Sequence, residues 1–284
     1  MIHLIPILAL MLLAIDYRIT AFNMHVPWNG YGCVADVVKG RAMLPMQYRV
    51  FVPWLTWIAG GTVSSYLAVK YAGLLFMLYA CAGWINVLGL NVTVGTLALC
   101  AFVPLTMRYD YADAYWELGF FALAFSLIYT GANVWILAAV ILIGMLNRET
   151  MIFSAVAKLV NDYSASCFAI STTGFVLIAV AIGISLTRII YGKRKRYCRF
   201  NLIKTNWGNI QTRRNLLEYI ISMGLIIFFV LLVIPQFIPM SGLVPFVVAM
   251  TLFLIAILIP GMWDESRIFL PLTTIIIPLT IRGL

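Results

Sequence analysis

Long apolar runs, separated by short polar segments, follow one another along almost the whole chain. Polar and apolar positions do not alternate within the runs, so the pattern predicts helices rather than the strands of a transmembrane barrel. Several runs fall short of the ~20 residues that usually cross a bilayer, which gives about nine spans within a range of roughly eight to eleven. The predicted spans lie at about residues 2–15, 65–89, 92–107, 115–130, 133–146, 164–190, 217–234, 243–262 and 268–281.

Three further segments have a helical pattern but do not read as spans. Residues 50–59 and 151–160 are apolar, but at a rise of about 1.5 Å per residue they are too short to cross unaided. We expect both to be re-entrant or interfacial pieces. Residues 34–43 are mildly amphipathic, with Asp36, Lys39 and Arg41 available for a wet face. This pattern predicts a helix that lies on a membrane surface.

Composition supports one membrane domain. Hydrophobic residues make up 63% of the chain and charged residues 10%, whereas about a quarter of a soluble domain is charged. No polar half could form a separate soluble domain. The predicted fold is therefore all-α, a single polytopic transmembrane helical bundle over residues 1–284 that sits among membrane lipids.

The net charge of +9 comes largely from one place, since nine of the 19 Lys and Arg residues lie between Arg188 and Arg214. A basic cluster between spans is typical of a cytoplasmic loop, here about residues 189–216, and does not favour nucleic-acid binding. With residues 50–59 and 151–160 taken as re-entrant, the first loop, about residues 16–50, is expected at the extracytoplasmic face. The acidic residues near the ends of the apolar runs then lie on that face as well.

Cysteine and histidine give no sign of a metal site. The five cysteines are scattered, and there is no CxxC motif and no Cys/His cluster. Neither a zinc site nor a disulfide framework is indicated.

Acidic residues are scarce and uneven. Of the ten in the chain, four lie between residues 108 and 150, namely Asp110, Asp113, Glu117 and Glu149. A carboxylate beside hydrocarbon is costly unless it is paired, hydrated or used, so these residues are functional candidates. There are simpler alternatives: the first three could favour a helix N-terminus through its dipole, and Glu149 could pair with its neighbour Arg148.

Four short motifs, taken in order, suggest a family. They are QYRVFVPWL (47–55), YDYADAYWELGFF (109–121), LNRET (146–150) and DESRIFLPL (264–272). Together they resemble bacterial polytopic membrane proteins of the GT-C glycosyltransferase type. The resemblance implies a transferase in the bacterial inner membrane that uses a polyprenyl-phosphate-linked sugar as donor and works at the outer face.

The same resemblance implies residue roles. A carboxylate near the end of the first helix acts as general base in such enzymes, and Asp16 has that position, with Asp36 as the alternative. Arg49 and Arg148 are the expected ligands of the lipid phosphate. The chemistry is consistent, because sugar transfer needs a base for the acceptor hydroxyl and cations for the departing phosphate. Arginine suits that phosphate because its planar fork gives two hydrogen bonds.

The remaining candidates have less defined roles. Asp110, Asp113 and Glu149 are expected to contribute to substrate binding. Asp110 and Asp113 are three residues apart and share one face of a helix, so they could also hold a divalent cation. Glu265 and Arg267 are two apart and do not face each other on a helix, which favours a structural role.

Two other functions are compatible with the sequence. A non-catalytic subunit of a larger membrane complex would use its helices only to pack against partner membrane subunits. A transporter of a lipid or polar solute would have charges near the midplane at broken helices, and usually an internal repeat. No repeat is visible, and the charges lie near the ends of the apolar runs.

Overall fold

The computed structural model describes residues 2–22, 30–40, 49–103, 112–164, 170–191, 216–236, 242–258 and 266–283. Regular structure in these ranges is entirely helical, which confirms the all-α prediction. Three 3-10 segments span Ile2–Leu4, Glu149–Met151 and Ser266–Leu272. The twelve α-helices of the described ranges are α1 (Ile5–Phe22), α2 (Gly30–Val38), α3 (Phe51–Ile58), α4 (Val63–Val87), α5 (Val92–Phe102), α6 (Asp113–Tyr129), α7 (Val134–Asn147), α8 (Ile152–Ser164), α9 (Ile170–Tyr191), α10 (Leu216–Gln236), α11 (Val244–Leu258) and α12 (Thr273–Gly283).

Two of these helices are long and apolar enough to cross a membrane. They are α4, with 25 residues, and the 18-residue stretch Thr172–Ile189 of α9. Shorter apolar helices of 10–17 residues accompany them, among them Val134–Asn147 and Val244–Leu258. Large apolar side chains are also exposed on the outside, for example Trp57 at 64% and Ile189 at 79%. Length and composition thus agree with a membrane bundle.

Helices α4 and α6 form the centre of the bundle and run parallel. Near their starts, the amide of Ala112 donates to the Tyr66 hydroxyl at 3.2 Å. Near their ends, the rings of Trp84 and Phe125 meet edge to face with centroids 5.9 Å apart. We call the end where these two helices begin the charged end, and the other the opposite end.

Small residues let the two central helices approach closely. A Cβ atom on Gly119 would lie 2.5 Å from the Phe76 ring and 3.2 Å from the Cα of Met77. A Cβ on Gly73 would lie 2.7 Å from the Trp116 Nε1. Glycine at a helix contact allows the close packing that replaces the hydrophobic driving force when the surroundings are themselves apolar.

Helices α7 and α9 are also parallel to each other. Trp135 and Phe175, near their starts, have ring centroids 4.1 Å apart, and farther along Gly183 packs against Met145. The intervening α8 therefore returns the chain from the charged end to the opposite end, where Asp162 accepts a hydrogen bond from Thr173. Helix α8 has 13 residues against the 14 of α7, and the expectation that residues 151–160 form a re-entrant or interfacial piece stays a prediction. Two polar side chains of α8, Ser154 and Asp162, are buried inside the bundle.

This path changes the position of the basic segment. Because α9 ends at the charged end, Arg188 lies at the same end of the bundle as Arg148. The predicted spans instead put the acidic residues and the basic loop on opposite membrane faces, and those faces stay a prediction. Residues 192–215 lie outside the described ranges, so this position applies only to the end of α9.

Two short helices cover the charged end. Helix α3 has eight residues, and Phe51 at its start packs against the rings of Trp116 and Phe120, with centroids 5.1 and 5.5 Å away. It is too short to span, as predicted for residues 50–59. Helix α2 buries Val34 and Val37 and is followed by the exposed Lys39. The amphipathic pattern is thus confirmed for the described part of 34–43; Arg41 lies outside it.

Candidate functional site

The first two turns of α6 form the centre of the charged end. Asp113, Tyr115 and Glu117 are all buried there, with exposed fractions of 7%, 4% and 0%. Asp113 begins the helix, where a carboxylate is favoured by the unpaired amides and the dipole of the first turn. Burying two carboxylates this deeply requires cations nearby.

Two arginines supply part of that charge. The Arg49 Nη1 lies 3.2 Å from Oδ2 of Asp113, and the Arg148 Nε lies 3.3 Å from the same oxygen. The backbone brings them together, because the amide of Val50 donates to the Leu146 carbonyl at 2.9 Å. Two guanidinium groups from distant parts of the sequence therefore converge on one oxyanion.

Side chains of the NRET motif (147–150) bind the end of α7 to α6. Arg148 pairs with Glu117 as well as with Asp113, and the Thr150 hydroxyl donates to the other oxygen of Glu117. The Asn147 side-chain amide donates to the Asp113 carbonyl at 2.9 Å. Three of the four motif residues thus contact α6.

A second ion pair lies beside the first group. Lys70 of α4 pairs with Asp16 of α1, and both side chains are almost fully buried. The Tyr115 hydroxyl donates to the other oxygen of Asp16 at 3.5 Å. Tyr115 stands between Asp113 and Glu117 on α6, so the two groups are adjacent.

These contacts define a charged cluster of three cations and three carboxylates in which every member has an oppositely charged partner. Such pairing offsets much of the cost of removing charges from water. One buried polar atom beside the cluster, the Asn147 Oδ1, has no hydrogen-bond partner within the described residues. The cluster consists of Asp16, Arg49, Lys70, Asp113, Glu117 and Arg148.

The structure brings most of the predicted site residues to this one end. Asp16, Arg49, Asp113 and Arg148 belong to the cluster, and Glu149 immediately follows it.

Of the other candidates, only Asp36 has a described side chain. Asp36 lies on the exposed face of α2. Asp110 and Glu265 lie outside the described residues, and Arg267 falls within the 3-10 segment Ser266–Leu272.

Sequence reasoning missed two members of the cluster. Lys70 was overlooked, although it is the only charged residue in the 25 residues of α4. That isolation is a signal, because an ionisable residue inside an apolar span marks a functional or structural site. Glu117 was a candidate because it lies beside an apolar run, but it was left out of the predicted site, whereas its carboxylate binds both Arg148 and Thr150.

The proposed cation site gains no support from the described residues. They contain no group of three or more His, Cys, Asp or Glu side chains that could hold a metal ion. Asp113 faces two guanidinium groups, which repel a cation, and its expected partner Asp110 is outside the described ranges.

A separate polar group lies at the opposite end. Lys158 pairs with Asp162 at 2.5 Å, and Thr173 donates to the second oxygen of that carboxylate at 3.0 Å. Lys158 also lines a cavity of about 380 Å³, whose other walls include Trp135 and Thr172. This cavity is far from the charged cluster along α6 and belongs to a different part of the bundle.

Comparisons with protein-family models, curated proteins and solved structures found no match to this chain. The proposal that follows therefore rests on the geometry of the charged end and on the four short motifs.

Proposed function

We propose that this chain is a multi-pass integral membrane protein and that its charged end binds the phosphate of a lipid-linked sugar. Counting α1, α4–α11 and the segment 266–283 gives about ten passes, one more than predicted, because α8 crosses as well. The apolar helices and the exposed apolar side chains support this placement in a bilayer. A bacterial inner membrane follows from the resemblance to the GT-C type.

One observation carries the functional part: Arg49 and Arg148 both approach the same oxygen of Asp113. Two guanidinium groups aimed at one oxyanion form an arrangement that proteins use to hold phosphate, because arginine stays charged and its donors are fixed in a plane. In this proposal Asp113 occupies the place of the phosphate until the lipid arrives. The reaction is sugar transfer from a polyprenyl phosphate, and the two arginines stabilise the departing phosphate.

The resemblance implies that this chemistry takes place at the outer face. Since α9 ends at the charged end, Arg188 and the start of the basic segment then face outward too, against the usual positive-inside bias. The side of the membrane is therefore a separate part of the proposal, and labelling of single cysteines with an impermeant maleimide tests it.

Lipid binding tests the phosphate site directly. The purified protein in detergent is titrated with a polyprenyl phosphate and with the matching uncharged polyprenol, and binding is followed by native mass spectrometry. We expect preference for the phosphate, and at least ~10-fold weaker binding after Arg49→Gln, roughly the loss of one charge-assisted contact. Arg49 is the chosen position because it is partly exposed, whereas the more deeply buried Arg148 contributes more to folding.

The matched control is Arg282→Gln, which removes an exposed arginine from the last turn of α12. It should bind the polyprenyl phosphate as the unchanged protein does. Equal binding of phosphate and polyprenol, or equal binding by the Arg49 variant, would overturn the proposal.

A second candidate, a non-catalytic membrane subunit, is favoured by one observation. Asp16, Asp113 and Glu117 are all ion-paired within the chain, so the charges of the six described members balance. Such a network can serve only to lock helices together. Absence of phosphate preference, together with co-purification of a stoichiometric membrane partner from the native host, would favour this function.

A further inference from the structure

The four residues of the NRET motif (147–150) have two different environments. Asn147, Arg148 and Thr150 each bond to α6. Glu149 does not: within the described part of the chain its carboxylate makes no hydrogen bond and no ion pair. It is also partly exposed, whereas Asn147 and Arg148 are buried.

The backbone explains this division. Arg148 has an extended conformation, with φ −155° and ψ 137°, and separates α7 from the 3-10 turn Glu149–Met151. Neighbouring side chains around an extended residue point to different sides. The guanidinium of Arg148 thus enters the cluster, while the carboxylate of Glu149 stays at its edge.

Asp16, unlike Glu149, is buried and paired. Its two carboxylate oxygens face Lys70 and the Tyr115 hydroxyl, and its side chain is 1% exposed. A general base has to reach the proton that it removes, within hydrogen-bond distance or through one water. The sealed carboxylate of Asp16 is poorly placed for that contact.

We infer that Glu149, and not Asp16, is the carboxylate that receives the proton of the acceptor hydroxyl in the proposed sugar transfer. This inference rests on the proposed function. The neighbouring Asn147 Oδ1, which is buried and lacks a partner in the described structure, is available to accept a hydrogen bond from the same substrate.

The step is balanced without any other reactant. The acceptor oxygen forms a bond to the anomeric carbon of the donor sugar as the bond from that carbon to the phosphate oxygen breaks. The hydroxyl proton passes to the Glu149 carboxylate, and the bonding electron pair leaves with the polyprenyl phosphate. Arg49 and Arg148 hold the phosphate, and Asp16 and Lys70 keep α1 against α4.

The first test measures which carboxylates are accessible. The folded protein is treated with dicyclohexylcarbodiimide, an apolar reagent for carboxyl groups, and the modified residues are identified by peptide mass spectrometry. We expect modification of Glu149 and not of Asp16, Asp113 or Glu117. Asp36, which is exposed, is the internal control for the activity of the reagent. The adduct assigned to Glu149 should be absent from the Glu149→Gln variant. Modification of Asp16 at the rate of Glu149, or no modification of Glu149, would overturn the inference.

The second test measures turnover with a synthetic polyprenyl-phosphate glucose as donor, followed by release of the polyprenyl phosphate. Glu149→Gln is expected to reduce the rate by about 10²- to 10⁴-fold, the usual contribution of a general base. Donor binding should stay unchanged, because the two arginines remain. Glu149→Asp should keep part of the rate with an altered pH profile, which a purely structural role would not produce.

Lys39→Gln, on the exposed side of the turn after α2, is the matched control and should react as the unchanged protein does. Unchanged turnover by Glu149→Gln would overturn the assignment of the base while leaving the proposed function intact. If the unchanged protein neither binds nor uses the donor, the proposed function fails and the base assignment fails with it. The carbodiimide result would then stand as a statement about accessibility alone.

Discussion

Lys70 on α4 and Asp16 on α1 form an ion pair in which the exposed fractions of the two side chains are 2% and 1%. Asp16 has a second partner, the Tyr115 hydroxyl, so α1, α4 and α6 meet at this carboxylate. A buried pair of this kind adds little net stability relative to an apolar pair, but breaking it leaves one charge uncompensated. Removing one member of the pair should therefore destabilise the fold strongly, whereas replacing both members together should change stability little.

Removal of the cation alone should destabilise the protein strongly. Lys70→Met leaves the Asp16 carboxylate buried without its ammonium, and we expect a loss of about 3–5 kcal/mol. The double change Asp16→Leu with Lys70→Met should recover most of it, because both charges of the pair are removed together. Thermal unfolding in detergent measures both, with Lys39→Met at an exposed position as control. A double variant as unstable as the single one would contradict this account of the pair.

The contact between α4 and α6 predicts opposite results for two glycines. A Cβ on Gly119 would press against Phe76 and the backbone of Met77, so Gly119→Ala should cost about 1–3 kcal/mol. Gly83, also within a helix, has no atom within 4 Å of an added Cβ. Gly83→Ala should be neutral or stabilise by up to ~1 kcal/mol, since alanine loses less backbone entropy on folding. Comparison of the two unfolding temperatures tests the close helix contact.

Arginine at position 148 should not be replaceable by lysine. Its guanidinium reaches Asp113 through Nε and Glu117 through Nη1, which a single ammonium cannot reproduce. We expect Arg148→Lys to lower stability by about 1–3 kcal/mol, the range for leaving a buried polar group without its partner. Arg282→Lys, at an exposed site, should have no measurable effect on the same unfolding curve. Equal stability of the two variants would contradict the two-carboxylate geometry.

The path of α7, α8 and α9 predicts which positions share a side of the membrane. In a variant whose natural cysteines are replaced, single cysteines at Lys39 and Arg188 should react with an impermeant maleimide from the same side. Cysteines at Thr130 and Ser164, after α6 and at the end of α8, should react from the other side. The labelled side also decides the outer-face part of the proposed function, which requires reaction of Lys39 and Arg188 from outside.

Labelling of Lys39 and Arg188 from opposite sides would contradict the transmembrane crossing by α8. It would favour the re-entrant interpretation of residues 151–160 and separate the charged cluster from the basic segment.

The sequence predicted the helical class because long apolar runs without alternation form helices. It found Arg49, Asp113 and Arg148 because charged residues beside such runs are rare. Its failures have physical causes. Residues 151–160 read only as a short apolar piece, whereas Ser154 and the nearby Asp162 are buried by neighbouring helices, which a single-segment pattern cannot show. Asp16 looked accessible at a helix end, and only the three-dimensional contact with Lys70 reveals that it is sealed.

The attachment of Asn147, Arg148 and Thr150 to α6 restricts how the charged end can open. Helices α6 and α7 are joined there by several bonds, so we expect them to move together. The start of α3 is held to α7 as well, by the hydrogen bond from the Val50 amide to the Leu146 carbonyl. Helix α2 packs on the same end through apolar side chains such as Val34. We therefore expect an opening that admits a lipid to the cluster to lie on the side of α2, while the NRET side stays in place.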